Sequence, residues 1–315
     1  MDDSTVRKTV SVMIPTYNEE ENAVPIYEAV KDIFERELPS YDYEILFIDN
    51  KSTDNTRALI RSICEQDKHV KAIFNAKNFG QFNSPYYGLI HTSGDCTISL
   101  CADFQDPVEM IPKFVAEWEK GYKIVCGIKT HSKENKLMYF LRSCYYKFIH
   151  KVSSVKMIEH FTGFGLYDKS FIEVLRNLDD STPFYRGIVA ELGFSRTEIE
   201  YTQAKRRAGK TSNNWKSLYD AAWLSFTGYT KIGLRLPVIF GAIAASLSFL
   251  AEVIYLILSL INESCSAGIA LSIGICFLIS VQIFFTGVAG EYILSINERM
   301  KKRPLVIEEE RLNFN

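Results

Sequence analysis

Three oxygen-bearing side chains, Asp103, Gln105 and Asp106, close the stretch "SLCADFQDPVE" (Ser99–Glu109), and Pro107 then forbids an apolar run to continue as strand. Carboxylate and amide oxygens in such a place suit a hard divalent cation, which takes one or two carboxylates and fills its shell from substrate phosphates. A basic cluster, "KRRAGK" (Lys205–Lys210), is the natural counterpart. Lys205, Arg207 and Lys210 lie in it around Gly209, which allows a tight turn. Metal and cations together fit a transfer between two anions: a phosphate nucleophile is already ionised, so the reaction needs alignment and charge stabilisation rather than a general base. The same cluster reads equally well as a juxtamembrane patch attracted to anionic lipid. Both hold if the acceptor is itself an anionic lipid.

Composition excludes several other classes. The formal net charge of the 315 residues is -2, and no basic run is interleaved with aromatics, so no nucleic-acid partner is expected. The seven cysteines are odd in number and form no CxxC, which argues against a disulfide framework or zinc site. No GxGxxG follows the first apolar run and no GxxxxGK[ST] occurs, so dinucleotide and P-loop fingerprints are missing. The N-terminus "MDDSTVRKTV" has no apolar signal core.

The elements that must position these groups alternate. "TVSVMIP", "YEILFID", "VKAIFN", "DCTISLCAD" and "KIVCGI" read as strands, separated by runs with helical spacing. Ser52 or Thr53 is placed to cap the second helix. Such alternation implies a mostly parallel α/β sheet with helices on both faces, whose ligands bind beyond the strands' carboxyl ends. Polar clusters occur at four successive ends: "PTYNEEEN" (Pro15–Asn22), Asp49-Asn50 with "KSTDNT", "NAKNFGQ" (Asn75–Gln81) and "ADFQD". They should converge on one cleft.

Two apolar runs follow. Val238–Ile261 carries one charge, Glu252, and Ala267–Gly290 carries none. Each is long enough to cross a ~30 Å hydrocarbon core as a helix, so a transmembrane hairpin is expected. Lys231 and Arg235 precede it, Arg299, Lys301, Lys302 and Arg303 follow it, and the connecting "NESCSA" has no cation. The positive-inside rule then puts both termini and the N-terminal domain in the cytoplasm. Segments Lys136–Ser153, which contains Arg142, and Asn214–Gly233 mix aromatics with cations, as interfacial helices do. The expected organisation is a catalytic domain over 1–213, a juxtamembrane helix over 214–235, the hairpin over 236–294 (spans 238–261 and 267–290) and a cytoplasmic tail over 295–315.

"SVMIPTYNEEEN", "ILFIDNKSTDNT", "NFGQ" and "ADFQDPVE" resemble the successive motifs of glycosyltransferase family 2, with its GT-A (Rossmann-like) fold. More narrowly they resemble polyprenyl-phosphate glycosyltransferases, the dolichyl-phosphate mannose synthases and bactoprenol glucosyltransferases. The likeness continues through "FTGFGLYDKSFIEVL", "FYRGIVAELGF", "YTQAKRRAGKTSNNW" and "AGEYILSINERMKKRPL", nearly the whole chain. The resemblance implies that Pro15, Tyr17, Asn18, Glu20, Asp49, Asn78 and Gln81 line the nucleotide pocket. It implies a catalytic set of Asp103, Arg186, Arg207 and Lys210. Asp103 and Gln105 would hold Mg2+ or Mn2+, with Asp106, Arg142 and Lys205 as further candidates. The sequence departs from the family at Asn50, usually Asp, and at Cys101, where the DxD motif has its first carboxylate; Cys101 reads as a buried strand residue. The expected activity is inverting transfer of one sugar from a nucleotide sugar, UDP-linked, to undecaprenyl phosphate at the cytoplasmic face of a bacterial inner membrane, by a homo-oligomer that the family suggests is a tetramer. A processive polysaccharide synthase and a non-catalytic scaffold or nucleotide-sugar sensor are the rival readings.

Overall fold

The computed structural model describes residues 7–131, 157–178, 180, 183–208, 223, 250, 267–300 and 304–314. Eight strands form one sheet: β1 (Thr9–Thr16), β2 (Asp42–Asp49), β3 (Val70–Asn75), β4 (Cys96–Ser99), β5 (Ile124–His131), β6 (Phe161–Asp168), β7 (Arg196–Thr202) and β8 (Glu308–Leu312). Their order is β7-β5-β6-β4-β1-β2-β3-β8. The four central strands, β4-β1-β2-β3, are mutually parallel. Outside them the sheet is mixed, because β6 runs antiparallel to β4 and β5, and β8 runs antiparallel to β3. The expectation of a mostly parallel sheet therefore holds for the centre and not for the flanks.

Burial follows position. In β1 and β2 both faces are covered, so Val10–Ile14 and Ile45–Asp49 are buried without a break. Successive side chains alternate faces. Val12, Ile14, Phe47 and Phe74 pack under α1 (Ala23–Glu37), α2 (Thr56–Gln66) and α4 (Ile111–Glu119). Met13, Leu46, Ile48 and Ile73 pack under α3 (Gly80–Ile90), α5 (Lys169–Asn177) and α6 (Tyr185–Glu191). Both edge strands alternate half-buried and exposed positions along most of their length, and β8 ("EEERL") is highly charged, which suits an edge.

Three local expectations need correction. The fourth strand stops at Ser99 rather than running to Asp103. Helix α2 starts after Asn55, and the Asp54 carboxylate takes the Thr56 N–H at 3.0 Å, so neither Ser52 nor Thr53 caps it. Residues 308–312 of the expected tail are a strand of the catalytic sheet.

Helix α7 (Ala267–Met300) covers the second expected span. Among the described residues, however, no helix is long and apolar enough to cross a membrane, so the hairpin is not confirmed. Apart from Trp223 and Leu250, segments 214–233 and 238–261 lie outside the described residues, as do 136–153 with Arg142, and Lys210.

Candidate active site

Because β1 to β4 are parallel, Thr16, Asp49, Asn75 and Ser99 end at one edge, and the four polar clusters meet there as expected. The first two loops are laced together. Asn18 N–H donates to Ser52 Oγ (2.9 Å), Thr53 N–H to Asn18 Oδ1 (2.8 Å), Glu19 N–H to Thr56 Oγ1 (2.9 Å) and Asn55 N–H to Glu20 (2.9 Å). Asn18, Lys51 and Phe104, one from each of three loops, sit at positive φ (55°, 67° and 60°), a conformation costing on the order of 1 kcal/mol or more per residue. Strain of this kind persists where the surroundings over-determine the loop.

Asp49 is fully buried. Its carboxylate accepts the N–H of Ser52 at 3.1 Å and the Ser52 hydroxyl, and lies 2.9 Å from Arg57 Nε, an ion pair whose N–H is not aligned for a hydrogen bond. Desolvation outweighs these partners and raises its pKa. Asp49 thus holds the loop from inside; the exposed face beside it belongs to Tyr17.

Asn50, the first departure from the family pattern, is fitted as an amide. Its NH2 donates to Asn78 Oδ1 (3.0 Å) and Gly80 O (3.2 Å), while its oxygen accepts from Phe79 N (2.8 Å) and Asn75 Nδ2 (3.2 Å). A carboxylate could not make the first two bonds. Asn78 also accepts Gly80 N–H at 2.8 Å, which leaves it a loop-forming residue, and Gln81 is exposed in the first turn of α3.

On the other side of the edge, Asp103 is buried, with Oδ1 accepting Gln105 N–H at 3.1 Å. Segment 205–208 docks over it. Arg207 N–H donates to Asp103 O (3.1 Å), and Asn22 Nδ2 donates to Ala208 O (3.4 Å). The guanidinium that faces the acids is that of Arg206. Its Nε is 3.7 Å from Asp103 Oδ2 and donates to Ala208 O at 3.0 Å, and its Nη2 contacts Glu19 Oε1. The Arg207 side chain instead lies over the Phe104 ring, 5.2 Å from its centroid. The expectation that Arg207 aims at this centre is therefore corrected in favour of its neighbour. Glu19 is buried, and desolvation raises its pKa despite Asn22 and Arg206. Neither Glu19 nor Arg206 stood out in the sequence, although each sits inside a motif that did.

Cys101, the second departure, is exposed rather than buried. It stands beyond the end of β4, reachable by water but surrounded by dense protein. Desolvation, and then the carboxylates of Asp106 and Asp103, hold its thiol well above its ordinary pKa. Asp106 accepts Tyr201 O–H at 3.0 Å and Cys101 N–H at 3.4 Å, tying the β4 end to β7; burial raises its pKa. Pro15 is half-buried in β1 and Lys205 is exposed. Arg186 stacks on Phe184, whose ring meets Phe82 in α3, so it stands on the α3 side of the edge.

Among the described residues no group of three or more His, Cys, Asp or Glu side chains could hold a metal ion. A cation enclosed wholly by protein does not fit. The Asp103 carboxylate, next to Gln105 and to a basic segment, does fit a hard cation that takes most of its ligands from a nucleotide diphosphate.

Residues 11–193 match the family described as Glycosyl transferase family 2. The SfII prophage-derived bactoprenol glucosyl transferase of Shigella flexneri is 33% identical over 302 residues, covering 95% of this chain and 96% of that protein. A prophage bactoprenol glucosyl transferase homolog of Escherichia coli (strain K12) is 32% identical, with 95% and 97% covered. Among solved structures, glucosyl-3-phosphoglycerate synthase from Mycobacterium tuberculosis in complex with phosphoglyceric acid matches with a TM-score of 0.50 at 16% identity, over 70% of this chain and 78% of that one, a likeness of fold. The chain belongs to glycosyl transferase family 2, among its polyprenyl-phosphate glycosyltransferases, and is a glycosyltransferase.

Proposed function

We propose that this enzyme transfers a single sugar from a UDP-linked hexose, such as UDP-glucose, to undecaprenyl or another polyprenyl phosphate, inverting the anomeric centre, at the cytoplasmic face of a bacterial membrane. The observation that carries the reading is the meeting of Asp103 with the basic segment 205–208 at the carboxyl edge of four parallel strands. Similarity to a bactoprenol glucosyl transferase and to a homolog of one supports the acceptor and the sugar.

The chemistry follows from charge. The acceptor phosphate is an anion at neutral pH and needs no base to attack carbon. The leaving diphosphate is also an anion, so the protein's work is to bring two repelling groups into line. Arg206 supplies a fixed guanidinium beside the acids, held by Glu19 and Ala208 O. Its planar fork suits phosphate oxygens. Mg2+ or Mn2+, held by Asp103 and Gln105, would supply charge stabilisation to the departing diphosphate. On this reading Tyr17, Asn18, Glu20 and Pro15 border the nucleoside. Their loops are laced to the β2–α2 loop, which keeps that border rigid before substrate arrives.

The membrane part of the reading rests on the two apolar runs of the sequence and on the cations that flank them. Sealing the acceptor's phosphate near the head-group plane requires the catalytic domain to stay at that surface, and a two-helix anchor would keep it there.

Purified protein incubated with radiolabelled UDP-glucose, UDP-galactose or UDP-N-acetylglucosamine and undecaprenyl phosphate tests this directly. A lipid-soluble product carrying one sugar is expected. No product from any donor would leave a scaffold or sensor, and a product of many sugars would mark a processive synthase.

A further inference from the structure

The C-terminal strand reaches the site through Glu309. β8 closes the sheet beside β3, and its outward side chains grip the start of α2. Glu309 Oε2 lies 2.7 Å from Lys51 Nζ and 3.0 Å from Arg57 Nη1. These are the two cations that frame Asp49. Arg57 forms the 2.9 Å ion pair with its carboxylate, and Lys51 follows it by two residues at a φ of 67°. Asp49 in turn receives Ser52, and Ser52 Oγ receives the Asn18 N–H. A continuous series of contacts therefore runs from residue 309 to the loop that carries Tyr17.

We propose that Glu309 is a positioning residue for the nucleotide end of the cleft, acting through Lys51 and Arg57 on Asp49 and the loop that follows it. This rests on the reading of that cleft as a nucleotide site.

The physical case is one of shared constraint. Arg57 cannot satisfy itself with Asp49 alone, because its Nε is poorly aligned; its Nη2 turns to Asn75 O (3.3 Å) and its Nη1 to Glu309. Its plane also lies over Phe74, with Cζ 5.0 Å from the ring centroid. Without Glu309, the guanidinium keeps its stacking and can swing its free edge toward water. Lys51, in the left-handed region, bonds the Asp49 carboxylate through its main-chain N–H, and its ammonium contact with Glu309 ties its side chain to the strand as well. Neighbouring Glu310 makes a different connection, to Arg61 further along α2 (2.6 Å), and provides an internal control on the same strand.

Hydrogen exchange on the full chain compares wild type, Glu309→Ala, Glu309→Gln and Glu310→Ala. In Glu309→Ala the amides of Ser52 and Asn18 should exchange about fivefold faster, the upper size of an exposed charge contact. Glu309→Gln should be intermediate, and Glu310→Ala should leave both amides unchanged. Calorimetric affinity for UDP should fall by a similar factor in Glu309→Ala, with the KM for polyprenyl phosphate unaltered. Unchanged exchange at Ser52 and Asn18 overturns the proposal. So does equal acceleration in Glu309→Ala and Glu310→Ala, which would mean only looser docking of the strand. If wild type itself does not bind UDP, the nucleotide reading fails, while the exchange comparison still decides whether Glu309 positions the loop.

Discussion

Arg206 Nε stands 3.7 Å from Asp103 Oδ2, while Arg207 gives Asp103 only its main-chain N–H and turns its side chain onto Phe104. Two adjacent arginines thus do different work. Arg206→Ala should lower kcat/KM by roughly 10²–10³, the size of losing one fixed electrostatic contact to developing charge. Arg206→Lys should recover little, because an ammonium cannot span Glu19, Asp103 and Ala208 O at once. Arg207→Ala should stay within about tenfold of wild type, since an exposed guanidinium over the half-buried Phe104 ring contributes only about 1 kcal/mol. Steady-state kinetics on the three variants checks the order; a larger loss at Arg207 than at Arg206 would reverse the assignment.

Asn50→Asp restores the residue usual in the family and should nevertheless be harmful here. The change removes two donors and sets a carboxylate against Asn78 Oδ1 and Gly80 O. Unmet acceptors at a buried position cost about 1–3 kcal/mol. Thermal or denaturant unfolding should show that loss, together with weaker nucleotide binding through the β3–α3 loop. A variant as stable as wild type would mean that Asn78 simply rotates to supply its own amide.

The centre of the fold was legible because β1 to β3 are short, predominantly apolar runs that stop at polar clusters and alternate with helical spacing, a pattern that suits doubly covered parallel strands. Strand β8 was not, since "EEERL" reads as a solvated tail until its pairing with β3 is known. The misreading of "KRR" is a register problem. In an extended segment neighbouring side chains point to opposite sides, so one hydrogen bond, Arg207 N–H to Asp103 O, decides which arginine faces the acids. Cys101 was misplaced for a related reason: its N–H turns to Asp106, and the apolar run outlasts the strand by several residues. Among the three consecutive glutamates of "PTYNEEEN", only tertiary contacts distinguish Glu19, which turns inward to Asn22 and Arg206.

His91 should make stability sensitive to mild acid close to where β8 docks. Its ring is held below its ordinary pKa, first by desolvation, although the Tyr87 carbonyl 2.8 Å away partly opposes this. Tyr87 in turn donates to Glu308 at 2.9 Å. Between the folded pKa and the unfolded value near 6.5 the unfolded chain binds more protons, so stability rises with pH through that window and is level above it. Melting temperatures from pH 5 to 8 should therefore climb and flatten in wild type. His91→Gln should lose part of the climb while keeping the plateau. Parallel curves would mean that other groups set the acid limb.

Asp103 and Cys101 occupy the two positions where the family pattern has its pair of carboxylates, and the structure separates their roles. Asp103 is buried beside Arg206 and Gln105, while Cys101 is exposed with a thiol whose pKa desolvation, Asp106 and Asp103 raise. Asp103→Ala should abolish transfer, because the departing diphosphate then lacks the carboxylate that would hold its cation. Excess EDTA should do the same to wild type, and added Mg2+ or Mn2+ should restore it. Cys101→Ala should be mild, within a few-fold in kcat/KM, and should leave the choice of metal as it was. Cys101→Asp recreates the spacing of the family motif, but it adds a third carboxylate beside Asp103 and Asp106, which Arg206 only partly offsets. Without metal, that variant should be less stable than wild type, by an amount that added Mn2+ recovers, which thermal unfolding with and without the ion would measure. If instead Cys101→Ala loses activity as severely as Asp103→Ala, or shifts the enzyme from one metal to another, the thiol is a ligand. The exposed position would then be a coordination site rather than a neutral replacement.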